Sequence, residues 1–367
     1  MMQNRVVMLV DFDYFFAQCE ELRNPTLKDK PVVVGVYSGR TKDSGAVSTA
    51  NYVARKFGVK SGIPLYLAKK RLASTEAVFL PVDGEFYEQI SNKIMDALRG
   101  YGDSFEQTSI DEAYLDVTSK VDGSFEAARD LAEKMKRDVK NEGGIAFSVG
   151  VGPNKLVAKI AADSQKPDGL TVVKPEEVRG FLSPLPVDRL LGVGRKTSVK
   201  LDELGVKTVG ELASYDVQRL VEVFGRKLGV YFHDAANGVD NEPVEETGES
   251  ESISRISTLK ENTRDLSVVL EKTDQLIEDI HKDFVQRDVN FKQVSIIAIL
   301  TDLSVRSRSK TLETSTRDEE AIRQAIRELF EKFLDESELE IRRVGVKISQ
   351  FSKEEREQKK LTSFFGS

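Results

Sequence analysis

SIDEAYLDV (residues 109–117) sets two carboxylates, Asp111 and Glu112, side by side at the head of an apolar, β-leaning run, with Asp116 following. Burying a carboxylate is costly unless something neutralises it. The stretch therefore raises a question of charge: either the chain itself or a bound cation must balance these acids.

Upstream, VVMLVDFDYFFAQCEEL (6–22) reads as a buried strand running into a helix, with Asp11 at the strand's end. A strand-end Asp often caps the next helix. Paired with SIDE, it takes on another meaning, because two strands carrying Asp in apolar sequence can converge their carboxylates. Asp11, Asp111 and Glu112 then offer three negative charges and only oxygen ligands. Hard divalent cations such as Mg²⁺ want that chemistry. Two such ions about 4 Å apart clamp the attacking and leaving oxygens of a phosphoryl transfer. Neighbours on a regular strand point to opposite faces. Asp111 and Glu112 thus reach one site only if the chain bends there. Asp116 and Asp13 read as exposed strand residues.

Further along, PVVVGVY (31–37) reads as a strand and GRTKDSGAVST (39–49) as a turn-rich connection. Periodicity and stop signals predict helices over 51–58, 63–72, 85–102, 124–144 and 154–169, and a strand over 145–152. The first 165 residues thus mix strands and helices as an α+β or α/β domain with an inserted piece. From about 175 to 240 the pattern is nearly all helical, and 237–254, poor in apolar residues, reads as a linker. The last domain shows helices over 266–286 and 318–334 and strands over 293–302, 304–312 and 341–350.

The 367 residues suggest two to four domains. With 40% apolar and 31% charged residues the composition is that of a folded, soluble chain. The longest apolar run, VSIIAIL (294–300), is far short of a membrane span. The N-terminus lacks a signal-peptide pattern. A lone Cys19 leaves no internal disulfide framework and fits a reducing cytoplasm, and two His with one Cys argue against zinc. The net charge of −7 speaks against nucleic acid only as an average, because nucleic acid is held by local patches.

Several such patches are legible. Tyr52 and Arg55 share one face of a helix and suit a triphosphate. In GPNKLVAKIAAD, Lys159 lies amid small apolar residues and reaches past them toward an anion, with Lys155 one turn before. LLGVGRKTSVKLDELGV (190–206) has the form of a helix–hairpin–helix, where Gly192 and Gly194 let the backbone approach a phosphate. SVRSRSKT (304–311) places Arg306, Arg308 and Lys310 on one strand face, with Ser307 and Ser309 opposite. Cations about 6.6 Å apart nearly match the phosphate spacing of one nucleic-acid strand. Arg342, Arg343 and Lys347 add to that groove, although a solvated edge that discourages aggregation is the competing account. The tail QKKLTSFF (358–365) ends a charged segment in two Phe, a mark of an interaction site.

In this order, VDFDYFFAQCEE, YVARKFGVKSGIP, SIDEAYLD, SVGVGPNKLVAKIAAD with QKPDG, and the helix–hairpin–helix resemble Y-family DNA polymerases, most of all the archaeal DinB branch, from residue 5 to about 350. The resemblance implies a multi-domain α+β right-handed polymerase. Its ferredoxin-like palm would take residues 1–10 and 82–166, small fingers 11–81, and a helical thumb 167–240. A linker (241–254), an α/β little finger (255–352) and a tail (353–367) would follow.

By the same resemblance Asp11, Asp111 and Glu112, with the Phe12 carbonyl, look like ligands of two Mg²⁺ ions, with Mn²⁺ able to substitute. Tyr14, Phe15, Phe16, Tyr52, Arg55 and Lys159 look like dNTP contacts, Phe16 being the gate against a ribose. Val36, Ala46, Ser48 and Gly62 fall where small residues roof the nascent base pair. A roof without bulk implies low fidelity and tolerance of damaged templates, and no segment suggests an exonuclease. Gln358, Leu361, Phe364 and Phe365 resemble a sliding-clamp-binding box. The implied partners are primer–template DNA, dNTPs and a clamp, for a cytoplasmic monomer. Two other readings compete: a nucleotide cyclase, which would need a GGDEF-like signature absent here, and a DNA-binding scaffold with an inactive palm.

Overall fold

The apolar run VMLVDF becomes β1 (Val7–Phe12), and all of its residues are buried because it lies at the centre of a sheet. The computed structural model describes residues 4–246, 248 and 250–352. They fall into two units. One is the chain up to Gly35, with Val47–Ile63 and Leu67 onward to residue 246; the other is Val36–Ala46, Pro64–Tyr66 and the chain from Gly248.

In the first unit, β1 is flanked on both sides by antiparallel partners, Glu112–Asp116 (β6) and Phe147–Gly152 (β7). Ser104–Gln107 (β5) and Leu170–Val172 (β8) complete the order β5-β6-β1-β7-β8. Strand alternation gives the sheet two apolar faces. Met8, Val10 and Phe12 join a core with helices Phe15–Arg23 (α1), Gly84–Arg99 (α4) and Phe125–Gly143 (α5). Val7 and Leu9 meet Ala158 and Ala162 of helix Lys155–Ser164 (α6) on the other face. Asp83, Ser124 and Asn154 cap α4, α5 and α6 through their side chains, which accounts for where each helix begins.

The smaller sheet combines Val32–Tyr37 (β2), Gly45–Ala50 (β3) and Val78–Pro81 (β4) in the order β3-β2-β4. The expected turn-rich connection therefore contains a strand. Helices Tyr52–Arg55 (α2) and Leu65–Arg71 (α3) follow β3. After β8 the chain is helical, through Val178–Leu182 (α7), Arg195–Glu203 (α8), Val209–Ala213 (α9), Val217–Phe224 (α10) and Arg226–Ala236 (α11).

The segment expected as a linker, 241–254, is packed against the first unit over its early residues. Val244 is 4% exposed and packs with Val7, Leu9 and Tyr114 on the back of the sheet. Arg5 donates to the Glu242 carbonyl at 2.7 Å, and Asp240 accepts from the Leu156 N–H at 3.0 Å. The segment's far end enters an unexpected strand, Ser252–Thr263 (β9), whose mixed polar sequence hides its β character.

In the second unit β9 joins Phe291–Leu300 (β10), Val305–Thr316 (β11) and Ile341–Ser349 (β12) in an antiparallel sheet ordered β11-β10-β12-β9. Helices Leu266–Arg287 (α12) and Glu319–Glu336 (α13) cover one face, where Val294, Ile296, Ala298, Val344, Val346 and Ile348 are buried. Among the described residues no helix is long and apolar enough to cross a membrane.

α6 lies almost against β7. A Cβ on Gly150 would come within 2.0 Å of the Ala158 carbonyl oxygen and 2.3 Å of the Ala162 nitrogen. Gly150→Ala must push α6 outward, and we expect a loss of about 2–3 kcal/mol, the upper part of the overpacking range. Urea unfolding checks this; a loss under about 0.5 kcal/mol, the size of an ordinary surface change, would show that the contact yields freely.

Candidate active site

The register of β1 and β6 sets Asp11 directly opposite Glu112. Two carboxylates face to face at a sheet end repel unless a cation sits with them. Lys159, on α6, supplies one. Its Nζ lies 3.0 Å from Asp11 Oδ2 and also contacts Glu112 Oε1. A second ammonium, Lys166, lies 2.6 Å from Asp11 Oδ2 and 3.0 Å from Asp163 Oδ1. Burial alone would lower the Lys166 pKa, but Asp11 and Asp163 more than reverse that, and the net shift is upward.

The bend needed before β6 is present: residues 109–111 form a bend and Glu112 opens the strand. The Asp111 carboxylate is held locally by the Ser109 hydroxyl at 2.6 Å. Its carbonyl accepts from the Phe12 N–H at 2.9 Å, which ties the bend to the end of β1. The structure thus brings Asp11 and Glu112 together on a shared cation. Among the described residues no group of three acidic, His or Cys side chains is close enough to enclose a metal ion. The donors at Asp11 and Glu112 are nonetheless all oxygen and already grip a positive charge, so they fit a hard cation.

Asp13 departs from expectation. It is 1% exposed, not a surface residue, and accepts from the Ser148 hydroxyl at 3.0 Å and the Asp168 N–H at 2.7 Å. Burial raises its pKa, and these two hydrogen bonds oppose the shift. Asp13 therefore fastens the loop that carries Lys166. Asp116 is half-buried and pairs with Arg5 at 3.4 Å.

Between β1 and α1 the chain turns at Tyr14, which sits in the left-handed region (φ 40°, ψ 43°). Such a conformation costs about 1–2 kcal/mol for a residue with a Cβ. Tyr14 packs edge-to-face on Tyr52 with ring centroids 5.3 Å apart, and the Arg55 guanidinium lies 4.6 Å from the Tyr52 ring centroid. Arg55 Nε is aimed by a 2.9 Å hydrogen bond to the Ala50 carbonyl. Burial raises the pKa of both phenols, so each keeps its proton; Tyr14 gives its own to Glu21 Oε2 at 3.4 Å. Phe15 is buried in the core, whereas Phe16 is half-buried and stacks on Tyr87 at 4.5 Å. Val36 is 57% exposed, Ala46 and Gly62 are exposed and Ser48 is half-buried, so these small residues leave open surface.

Sequence reasoning placed Lys159 at the triphosphate and passed over Lys166. The structure sets both at the carboxylates. The available signal was QKPDG, a lysine three residues after Asp163 just where the helix stops.

In the helical segment after β8, Gly192 takes φ 79° and Gly194 caps α8 with no side chain. A Cβ on Gly194 would meet nothing within 4 Å, and Arg195 and Lys196 at the start of α8 are exposed.

The second unit requires a correction. Arg306, Arg308 and Lys310 do share a parity, but it is that of Ala298, Ile296 and Val294, the helix-covered face. Arg308 pairs with Glu336 of α13 at 3.0 Å, and Lys310 pairs with Glu328. Both charges are thereby tied to α13. The face without helices carries Ser307 and Ser309 on β11 and, by register through β10, Arg343 and Lys347 on β12. Among the described residues Arg343 Nε is buried without a hydrogen-bond partner. Arg342 sits at an irregularity in β12. Gln358, Leu361, Phe364 and Phe365 lie outside the described residues.

Comparison with known proteins bears on this geometry. A family model described as the impB/mucB/samB family matches residues 10–163, and that of its C-terminal domain matches 250–361. A DNA polymerase-iota thumb-domain model matches 188–240. A DNA polymerase IV of Nitrosopumilus maritimus is 44% identical over 365 residues, covering 99% of this chain and 100% of that one. One from Methanosarcina acetivorans is 43% identical over 358 residues, covering 96% and 97%. Among solved structures, a Y-family DNA polymerase chimera of Dbh and Dpo4 superposes with TM-score 0.89 at 39% identity, over 95% of this chain and 99% of that one. An insertion ternary complex of Dbh DNA polymerase matches with TM-score 0.68 at 39% identity, over 94% and 98%.

If Asp13 is the fastening of the 166–169 loop, its loss is felt there first. Asp13→Ala leaves the Ser148 hydroxyl and the Asp168 N–H without their acceptor. We expect a cost of about 1–3 kcal/mol and faster amide exchange at Asp168. Hydrogen exchange by mass spectrometry checks this; unchanged protection over 166–169 would remove Asp13 from that role.

Proposed function

The chain belongs to the impB/mucB/samB family of Y-family DNA polymerases and is a DNA-directed DNA polymerase of the translesion class; from that premise we propose how its residues divide the work. It binds primer–template DNA and dNTPs, and its chemistry depends on divalent metal. The carrying observation is Asp11 set against Glu112 on adjacent strands, two cations drawn to them, with Tyr52 and Arg55 on the short helix of the same unit.

Asp11, Glu112 and Asp111, with the Phe12 carbonyl, would hold two Mg²⁺ ions, or Mn²⁺ in their place. Such ions supply Lewis-acid activation of the primer 3′-hydroxyl and stabilise charge developing on the phosphates. The chain's own groups do the rest. Tyr52, Arg55, Lys159 and Lys166 take the triphosphate oxygens through phenol, guanidinium and ammonium donors, and Tyr14, its hydroxyl given to Glu21, backs Tyr52 by ring contact. Lys159 also neutralises Asp11 and Glu112. Phe16, backed flat by Tyr87, is an aromatic wall that a 2′-hydroxyl would strike. Val36, Ala46, Ser48 and Gly62 present too little bulk to squeeze out a misfitting base pair, which makes copying error-prone and lesion-tolerant. Catalysis is then chiefly positioning and charge stabilisation.

In domain terms, residues around the five-stranded sheet act as palm, β2–β4 with α1–α3 as fingers, and α7–α11 as thumb. The C-terminal sheet with α12 and α13 is the little finger. Gly192 and Gly194 bring backbone N–H groups to the DNA phosphates. On the little finger, Arg343 and Lys347 with Ser307 and Ser309 take the backbone, since Arg308 and Lys310 are engaged by α13. The protein acts as a cytoplasmic monomer. Gln358, Leu361, Phe364 and Phe365 tether it to a sliding clamp, gaining processivity through effective concentration.

Three experiments test these assignments. Glu112→Ala or Asp111→Ala should abolish primer extension with Mg²⁺ while DNA affinity stays within a few-fold; wild-type-like extension would sink the carboxylate assignment. Replacing Arg343 and Lys347 together by Ala should flatten the salt dependence of DNA binding by roughly 0.7–0.9 for each phosphate no longer neutralised. Replacing Arg308 and Lys310 should leave it unchanged, and the opposite pattern would return the DNA-binding role to β11. Deleting residues 358–367 should leave extension intact without clamp and remove stimulation by the cognate clamp; equal stimulation of both proteins would refute the box.

A further inference from the structure

Asn51 is 1% exposed and immediately precedes α2. Its side-chain amide uses every hydrogen-bonding position it has. Oδ1 accepts from the Ala54 N–H at 3.0 Å and from the Val32 N–H at 3.0 Å. Nδ2 donates to Glu21 Oε1 at 2.9 Å and to the Lys30 carbonyl at 2.8 Å. The reverse orientation would set an NH₂ against two backbone N–H groups, so the network itself fixes the amide. One side chain thus joins α1, the turn after it, β2 and α2.

That junction matters because α2 is a single turn of four residues, Tyr52–Arg55. A helix so short has no stability of its own. It nevertheless carries Tyr52 and Arg55. Glu21 extends the connection, since its Oε2 accepts from the Tyr14 hydroxyl at 3.4 Å. Tyr14 and Tyr52 are therefore coupled twice, by ring contact and through Glu21 and Asn51.

We propose that Asn51 and Glu21 are positioning residues that set Tyr14, Tyr52 and Arg55 as one receptor for the triphosphate. Neither touches substrate. Asn51 holds the α2 turn in place, and the Asn51–Glu21 hydrogen bond sets the distance between the two tyrosine-bearing elements. The inference rests on the assignment of Tyr52 and Arg55 to the triphosphate.

The test exchanges donor and acceptor. Asn51→Asp keeps the acceptor for Ala54 and Val32 but sets a carboxylate oxygen against both Glu21 and the Lys30 carbonyl. Adding Glu21→Gln restores a hydrogen bond with the roles reversed. The probe is inorganic tripolyphosphate as a competitive inhibitor of primer extension, alongside dNTP KM, kcat, DNA affinity and melting temperature. Losing one such hydrogen bond predicts about 3- to 10-fold weaker tripolyphosphate inhibition and a matching rise in KM. DNA affinity should not change, and the double variant should recover the part of the loss that the contact with residue 21 carries, the Lys30 bond staying broken. Glu21→Ala, which leaves the Ala54, Val32 and Lys30 bonds of Asn51 intact, should act in the same direction if Asn51→Asp fails to fold. A fall in kcat and melting temperature with unchanged tripolyphosphate inhibition overturns the proposal, as does failure of Glu21→Gln to rescue. Arg55→Ala separates the two levels. If it leaves tripolyphosphate inhibition unchanged, the triphosphate assignment itself fails. If it weakens inhibition while Asn51→Asp and Glu21→Ala do not, only the positioning inference falls.

Discussion

The charge contact at the end of β1 constrains the rest of the first unit. Antiparallel register puts Asp11 opposite Glu112, and Asp11 is 6% exposed. Removing one partner of a buried ion pair is far costlier than never having formed it, because the other charge is stranded. The cations must therefore come close. Lys159 reaches the acids because α6 lies almost on β7, an approach that Gly150 and Gly152 permit by lacking a Cβ. Lys166 reaches Asp11 because Asp13 pins the loop after α6 to the same sheet. Glycine, helix, loop and buried aspartate all follow from the need to neutralise two facing carboxylates.

Tyr52 and Arg55, proposed for the triphosphate, are held differently. The carboxylates sit on central strands of a sheet, where backbone pairing sets them. Tyr52 and Arg55 sit on one helical turn that depends on a buried amide and a packed tyrosine. The carboxylate framework is thus set by sheet topology, and the Tyr52–Arg55 turn by a few specific hydrogen bonds. An enzyme whose catalysis is mostly positioning can lose function in the second kind of element without losing its fold.

The C-terminal sheet has two faces of different composition. One buries an aliphatic layer under α12 and α13, and at its edge β11 offers cations to acidic residues of α13. The other has serines and two cations across three strands. Hydroxyl groups around a few cations lie on the face that no helix covers, which is why the proposed contact with a phosphate backbone is placed there.

Much was legible along the chain. Apolar runs located β1, β7 and β10, helical periodicity located α4, α5 and α12, and the acids Asp11, Asp111 and Glu112 stood out because carboxylates in apolar sequence demand an explanation. Strands β3, β5 and β9 escaped, since mixed polar sequence carries little β signal until a neighbouring strand completes its hydrogen bonds. Alternation alone correctly grouped Arg306, Arg308 and Lys310, because parity is a property of one strand. Which parity faces the helices depends on how β11 pairs with β10, and that is a property of the sheet. The same holds at the site. The residue types announced a cation-binding centre, but the meeting of Lys166, Asp13 and Asn51 with distant partners depends on contacts between segments far apart in the chain. Local pattern determines element and chemical type, and only long-range packing decides which charges meet.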